Sequence, residues 1–156
     1  MAEKKLKIAL CQFSITADIE MNTKTIIKLI KQAGNQDADI IHFPECCLSA
    51  YAGIDFDEVK DQDDSLLRLS MEKIKDACAK YDVWAIIGSH YINITHYKPL
   101  NSLFVINNKG EFAYRYDKRF LFGHAGQGDV YHYTKGNDAI TFDINGIKCG
   151  LLICHE

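Results

Sequence analysis

Ala139-Ile140-Thr141-Phe142-Asp143-Ile144-Asn145-Gly146-Ile147-Lys148-Cys149-Gly150-Leu151-Leu152-Ile153-Cys154 is the stretch that decides the architecture. Asn145-Gly146 readily takes the two positive φ angles of a short hairpin turn, so Ala139 to Ile144 and Ile147 to Ile153 read as antiparallel strands. A hairpin comes just before it as well. Ser102 to Asn107 and Glu111 to Asp117 flank Asn108-Lys109-Gly110, another tight-turn tripeptide.

Upstream of Ser102 the pattern changes. Leu6 to Phe13 is a nearly continuous apolar run, read as a first strand buried on both faces. Ile19, Ile26, Ile27, Ile30 and Ala33 then recur at helical spacing, with Asp18 placed to cap the helix and Gly34-Asn35 to end it. Asp39 to Phe43 is a second buried strand, stopped by Pro44. Asp63-Asp64-Ser65 offers capping groups for a second helix that places Leu67, Met71, Ile74, Cys78 and Tyr81 on one side. Val83 to Ile94 completes a β-α-β-α-β run. Two helical crossovers followed by hairpins argue for an α/β fold with a mixed sheet, because a purely parallel sheet would need a crossover at every connection.

With 156 residues, 47% of them apolar and 25% charged, the chain is the size of one domain with a real core. A net charge of −3 gives no basic excess to attract nucleic acid. Met1 to Lys5 lead straight into a strand pattern without a secretory signal, and no run reaches membrane-spanning length, which reads as a cytoplasmic protein. Six cysteines (11, 46, 47, 78, 149 and 154) lie mostly in apolar segments and read as reduced, buried thiols.

Three chemically capable residues follow strand-like runs. Glu45 comes after Ile40-Ile41-His42-Phe43-Pro44, Lys118 after Phe112 to Asp117, and Cys154 after Gly150 to Ile153. Strand ends that open on one cleft would bring a carboxylate, an ammonium and a thiol together. A free thiol ionises near pH 8.5, and a neighbouring ammonium favours the thiolate, so Lys118 is placed to activate Cys154 and Glu45 to move its proton.

In order and spacing, Phe43-Pro44-Glu45, Tyr116-Asp117-Lys118-Arg119 and Leu152-Ile153-Cys154-His155-Glu156 resemble the three catalytic motifs of the nitrilase superfamily of carbon–nitrogen hydrolases. Lys7 to Gln12 and Ile86-Ile87-Gly88-Ser89 fit the same pattern. The resemblance covers essentially the whole chain, 1–156, as one hydrolase domain. It implies an α-β-β-α sandwich with mixed β-sheets in which Glu45 is the general base, Lys118 the electrostatic stabiliser and Cys154 the nucleophile. It also implies a small linear carboxamide as substrate, no metal or organic cofactor, and a homo-oligomer, dimer or higher. Tyr116 to Phe122 and Tyr133-Thr134-Lys135-Gly136 look most like the small-acid amidase branch, including ω-amidase-like members.

The resemblance carries two departures. Where many members have a second glutamate after the lysine, this chain has Asp129, one methylene shorter, so a loss of reach toward Lys118 is expected. Members also continue well past the nucleophile, so a chain ending at Glu156 would lack the C-terminal part of the sandwich and expose apolar surface.

Other residues have plainer readings beside sharper ones. Tyr51 is a candidate pocket residue and His155 offers a backbone N–H to an oxyanion, but aromatics such as Tyr51, Phe120 and Phe122 are more often core. Cys46 and Cys47 tempt a redox or metal reading, yet adjacent side chains are poorly spaced to close a tetrahedral site, so packing is favoured. Histidines 42, 90, 96, 124, 132 and 155 form no ligand pattern, and His124 and His132 belong to substrate contact or to a solvated loop. A truncated or degenerate module that binds a ligand or partner without turnover is the competing class.

Overall fold

The structure, a computed structural model, describes residues 4–92, 97–124 and 126–156. His96 and the last two positions of the strand expected over 83–94 lie outside the described residues. Five strands form one mixed sheet in the order β1 (Ile8–Leu10), β2 (Ile40–His42), β3 (Trp84–Tyr91), β4 (Leu100–Ile106) and β5 (Phe112–Asp117). β1, β2 and β3 run parallel, with Ile8 beside Ile40 and Ile40 beside Trp84, while β3, β4 and β5 pair antiparallel.

Helices α1 (Ile19–Gly34) and α2 (Asp64–Tyr81) make the two parallel crossovers and pack against each other. Successive right-handed crossovers in the same direction put both helices on one face. Both begin at an aspartate that accepts the orphan backbone N–H three residues on, Asp18 from Met21 and Asp63 from Leu66.

Side-chain alternation divides the core between the two faces of the sheet. Ile41, Ala85, Ile87 and Ile106 meet Ile26, Ile30, Ile74 and Cys78 of the helices. On the opposite face Ile40, Ile86, Leu103 and Val105 meet Phe142 and Ile144 from a hairpin of β6 (Thr141–Ile144) and β7 (Ile147–Gly150). Asn145 and Gly146 turn that hairpin with φ of 53° and 75°. The fold is thus a mixed α/β layering, with helices on one face of the sheet and a hairpin on the other. Among the described residues, no helix is long and apolar enough to cross a membrane.

Two expectations are corrected. The first strand is three residues long and lies at the sheet edge, with Ile8 55% and Leu10 78% exposed, so it is not buried on both faces. Its inner side meets the helical layer through Ala9 and Cys11, but the hairpin layer stops short of Ile8 and Leu10 and leaves an apolar groove with Phe142, Leu151 and Leu152. The last strand ends at Gly150, so Cys154 stands beyond an irregular three-residue segment and not at a strand tip.

Candidate active site

Glu45 sits in a turn after β2 that passes directly over β3. Gly88 makes the crossing possible: a Cβ there would lie 2.4 Å from the Pro44 carbonyl oxygen and 2.5 Å from the Cys46 nitrogen. The turn is tied down by Leu48 N–H donating to the Gly88 carbonyl at 2.9 Å, and its next residue, Cys46, has φ of 51°. Left-handed backbone at a non-glycine residue is sparsely populated and persists only where its surroundings impose it.

Lys118 follows β5 directly. Its N–H donates to the Asn101 carbonyl at 2.8 Å, and its own carbonyl accepts from Gly136 N–H at 2.8 Å. Gly136 is needed for that approach, since a Cβ would lie 2.3 Å from the Asp117 carbonyl oxygen. The ammonium is 1% exposed and bridges two carboxylates, Glu45 Oε1 and Asp129 Oδ2, each at 2.7 Å. Burial alone would lower the Lys118 pKa, but hydrogen bonds and charge from Asp129 and Glu45 outweigh it and hold the ammonium above its ordinary value.

Asp129, fully buried at the start of a four-residue helix α3 (Asp129–His132), reaches Lys118 despite its shorter side chain. It also accepts the Phe122 N–H at 2.9 Å and a hydrogen bond from the Tyr51 hydroxyl. Burial, with Asp129 beside it, drives the Tyr51 phenol well above its usual range, so it stays a protonated donor. The expected loss of reach is therefore absent: the helix brings the shorter acid close enough.

Cys154 lies on a turn with φ of 58°, exposed, and its thiol hydrogen-bonds to none of the described residues. The other thiols are less available. Burial pushes Cys47 and Cys78 up to about 12 and holds Cys46 well above the ordinary thiol value, which fits the packing reading of the vicinal pair. His155 packs edge-on to Phe122, ring centroids 5.9 Å apart. Of the histidines in the following loop, His124 hydrogen-bonds Gln127, and His132 packs between Tyr131 and Tyr133. Among the described residues no group of three or more His, Cys, Asp or Glu side chains is arranged to hold a metal ion.

Glu45, Lys118, Asp129 and Tyr51 are thus joined in one hydrogen-bonded cluster, and a side chain beyond Cys154 ties the Cys154 turn to the segment after Lys118. That link is Glu156, which the residue pattern did not single out. Its Oε1 accepts Arg119 N–H at 2.8 Å and Phe120 N–H at 3.1 Å, and its Oε2 accepts Ile153 N–H at 2.9 Å and the Tyr116 hydroxyl at 2.7 Å. Asn101 is the second unforeseen member: its Nδ2 donates to Glu45 Oε1 at 2.7 Å. Its only sequence signal was a polar residue at the start of an apolar strand.

The chain is similar to known proteins in sequence and in fold. The family model described as carbon-nitrogen hydrolase matches residues 7–156. The chain is 27% identical over 160 residues to Nitrilase homolog 2 of Dictyostelium discoideum, covering 99% of this chain and 48% of that protein. Among solved structures, it superposes on a glutamine-dependent NAD+ synthetase from Acinetobacter baumannii with a TM-score of 0.77 and 28% identity, covering 96% of this chain and 27% of that one. An amidase from Nesterenkonia sp. shares the fold with a TM-score of 0.84 at 16% identity, covering 96% of this chain and 56% of that one. The chain therefore spans about half the length, or less, of the proteins it is similar to.

Proposed function

Since the chain belongs to the carbon–nitrogen hydrolase family, we propose that it hydrolyses a small linear carboxamide through a thioester on Cys154, releasing ammonia and a carboxylic acid. The observation that carries this reading is the buried Lys118 ammonium held at 2.7 Å from both Glu45 and Asp129, beside a turn that presents an exposed thiol. A fixed positive charge stabilises the oxyanion that forms when the thiol sulfur attacks.

Glu45 takes the thiol proton as the sulfur attacks the amide carbon. The C–N bond then breaks, the proton passes to the departing nitrogen, and ammonia leaves a thioester. Water, losing its proton to Glu45, attacks the thioester and returns the free thiol with a carboxylic acid. Lys118 and the His155 backbone N–H stabilise the oxyanion in both steps. Asp129, held by Tyr51 and the Phe122 N–H, orients Lys118. We place the protein in the cytoplasm as a homo-oligomer that needs neither metal nor organic cofactor.

Similarity to a glutamine-dependent synthetase supports including terminal amides of the glutamine kind among the substrates tested. The competing reading, a binding module without turnover, draws on the absence of any hydrogen bond between the Cys154 thiol and the described residues. Ammonia release from a panel of primary amides, by the native chain and by Cys154→Ala, separates the two. Release that depends on Cys154 supports hydrolysis, and no release from any amide sinks it.

A further inference from the structure

Glu45 has two carboxylate oxygens, and the structure treats them differently. Oε1 accepts from Lys118 Nζ and from Asn101 Nδ2, both at 2.7 Å, while Oε2 accepts from none of the described residues. Asn101 is itself fully determined. It is 1% exposed at the start of β4, its carbonyl receives the Lys118 N–H, and its Oδ1 accepts the Cys46 thiol at 3.5 Å. A thiol donates to an oxygen, so Cys46 sets which end of the amide faces Glu45.

We propose that Asn101 is a positioning residue that selects the working oxygen of Glu45: with Lys118 it occupies Oε1 and leaves Oε2 to exchange the proton with Cys154 and with water. Lys118 alone could not do this, because three donor hydrogens on a rotatable ammonium satisfy either oxygen, and the carboxylate could turn about its terminal bond. An amide donor locked in a buried strand removes that freedom. The Asn101 carbonyl also accepts the Lys118 backbone N–H, so one residue of β4 holds both the Lys118 main chain and the Glu45 carboxylate. The hydrogen-bond donor is required, and an oxygen in its place would face a carboxylate.

This inference rests on the proposed hydrolysis, and its test has an arm that does not. Asn101→Asp keeps the shape and the acceptor for Cys46 but sets a carboxylate against Glu45. In the amide assay kcat falls on the order of 10²-fold while KM changes less than about threefold, since remote substrate contacts are untouched. The acid limb of the pH profile moves upward, because a second negative charge favours the protonated site. A purely structural role would not confine the loss to kcat. In parallel, the rate of Cys154 alkylation by chloroacetamide is followed against pH in both proteins, which needs the site but no turnover. A shifted alkylation profile with no ammonia from any amide upholds the Asn101 role and refutes the hydrolase reading. Unchanged kcat, or superimposable profiles, overturns the Asn101 role. Should Asn101→Asp fail to fold, Cys46→Ala frees the amide to reverse, and the same upward shift in smaller measure is expected; no shift overturns the proposal.

Discussion

Glu156 Oε1 accepts the backbone N–H of Arg119 at 2.8 Å, so the turn that presents Cys154 is fastened to the turn that presents Lys118. With Phe120, Ile153 and Tyr116 the same carboxylate satisfies four donors. Cys154 is therefore held relative to the turn that follows Lys118 by one residue two positions along the chain.

That fastening is sensitive to pH. Burial would raise the Glu156 pKa, but its hydrogen bonds from Tyr116 and the Ile153, Arg119 and Phe120 N–H groups outweigh this and hold it below the ordinary glutamate value. A depressed folded-state pKa contributes stability that is fully present above the unfolded value, about 4.3, and is lost as pH falls through the folded one. Glu156→Gln, which cannot accept four donors on one oxygen, is expected to lose roughly 1–3 kcal/mol at pH 7 and to flatten the acid limb of stability. Urea midpoints at pH 7 and across the acid range measure both effects.

Gly88→Ala tests how Glu45 is placed. The added Cβ meets backbone atoms of Pro44 and Cys46 and not a side chain that could swing aside, so the turn must shift. A loss of about 1–3 kcal/mol is expected, with activity reduced on the order of 10²-fold from displacement of Glu45. Thermal melts and steady-state kinetics read the two.

Lys118→Met leaves Glu45 and Asp129 facing each other without their shared cation. Breaking a buried pair by removing one partner costs about 3–5 kcal/mol, so this variant should be the least stable of the series and inactive. Chemical denaturation against the native chain measures the difference.

The groove beside β1 predicts association. Ile8, Leu10 and Leu152 are each more than half exposed on an edge strand and its neighbours, the kind of surface that self-associates. Ile8→Lys with Leu10→Lys should reduce both hydrophobic-dye binding and the concentration dependence of light scattering.

Features governed by neighbours in sequence were legible before the structure. Asp18 and Asp63 cap because their side chains meet N–H groups three residues on, and Asn145-Gly146 turns because both take positive φ. Glu45 and Lys118 were readable as residues that follow strands. The burial of β1 was not, because apolarity does not say which layer lies over a strand. Nor were the partners of the site: the Asn101–Glu45 bond spans 56 residues and the Glu156–Arg119 bond 37, and only sheet order brings them together. The reach of Asp129 depended on a four-residue helix that no periodicity could announce.

The central claim is that Cys154 carries the acyl group. Incubating the chain with a primary amide that it hydrolyses, quenching in acid and mapping peptide masses tests it most directly. The acyl mass is expected on the peptide that contains Cys154, located on that residue and absent from Cys154→Ala, which releases no ammonia. Ammonia release by Cys154→Ala at the native rate, with no acylated thiol in either protein, would contradict it.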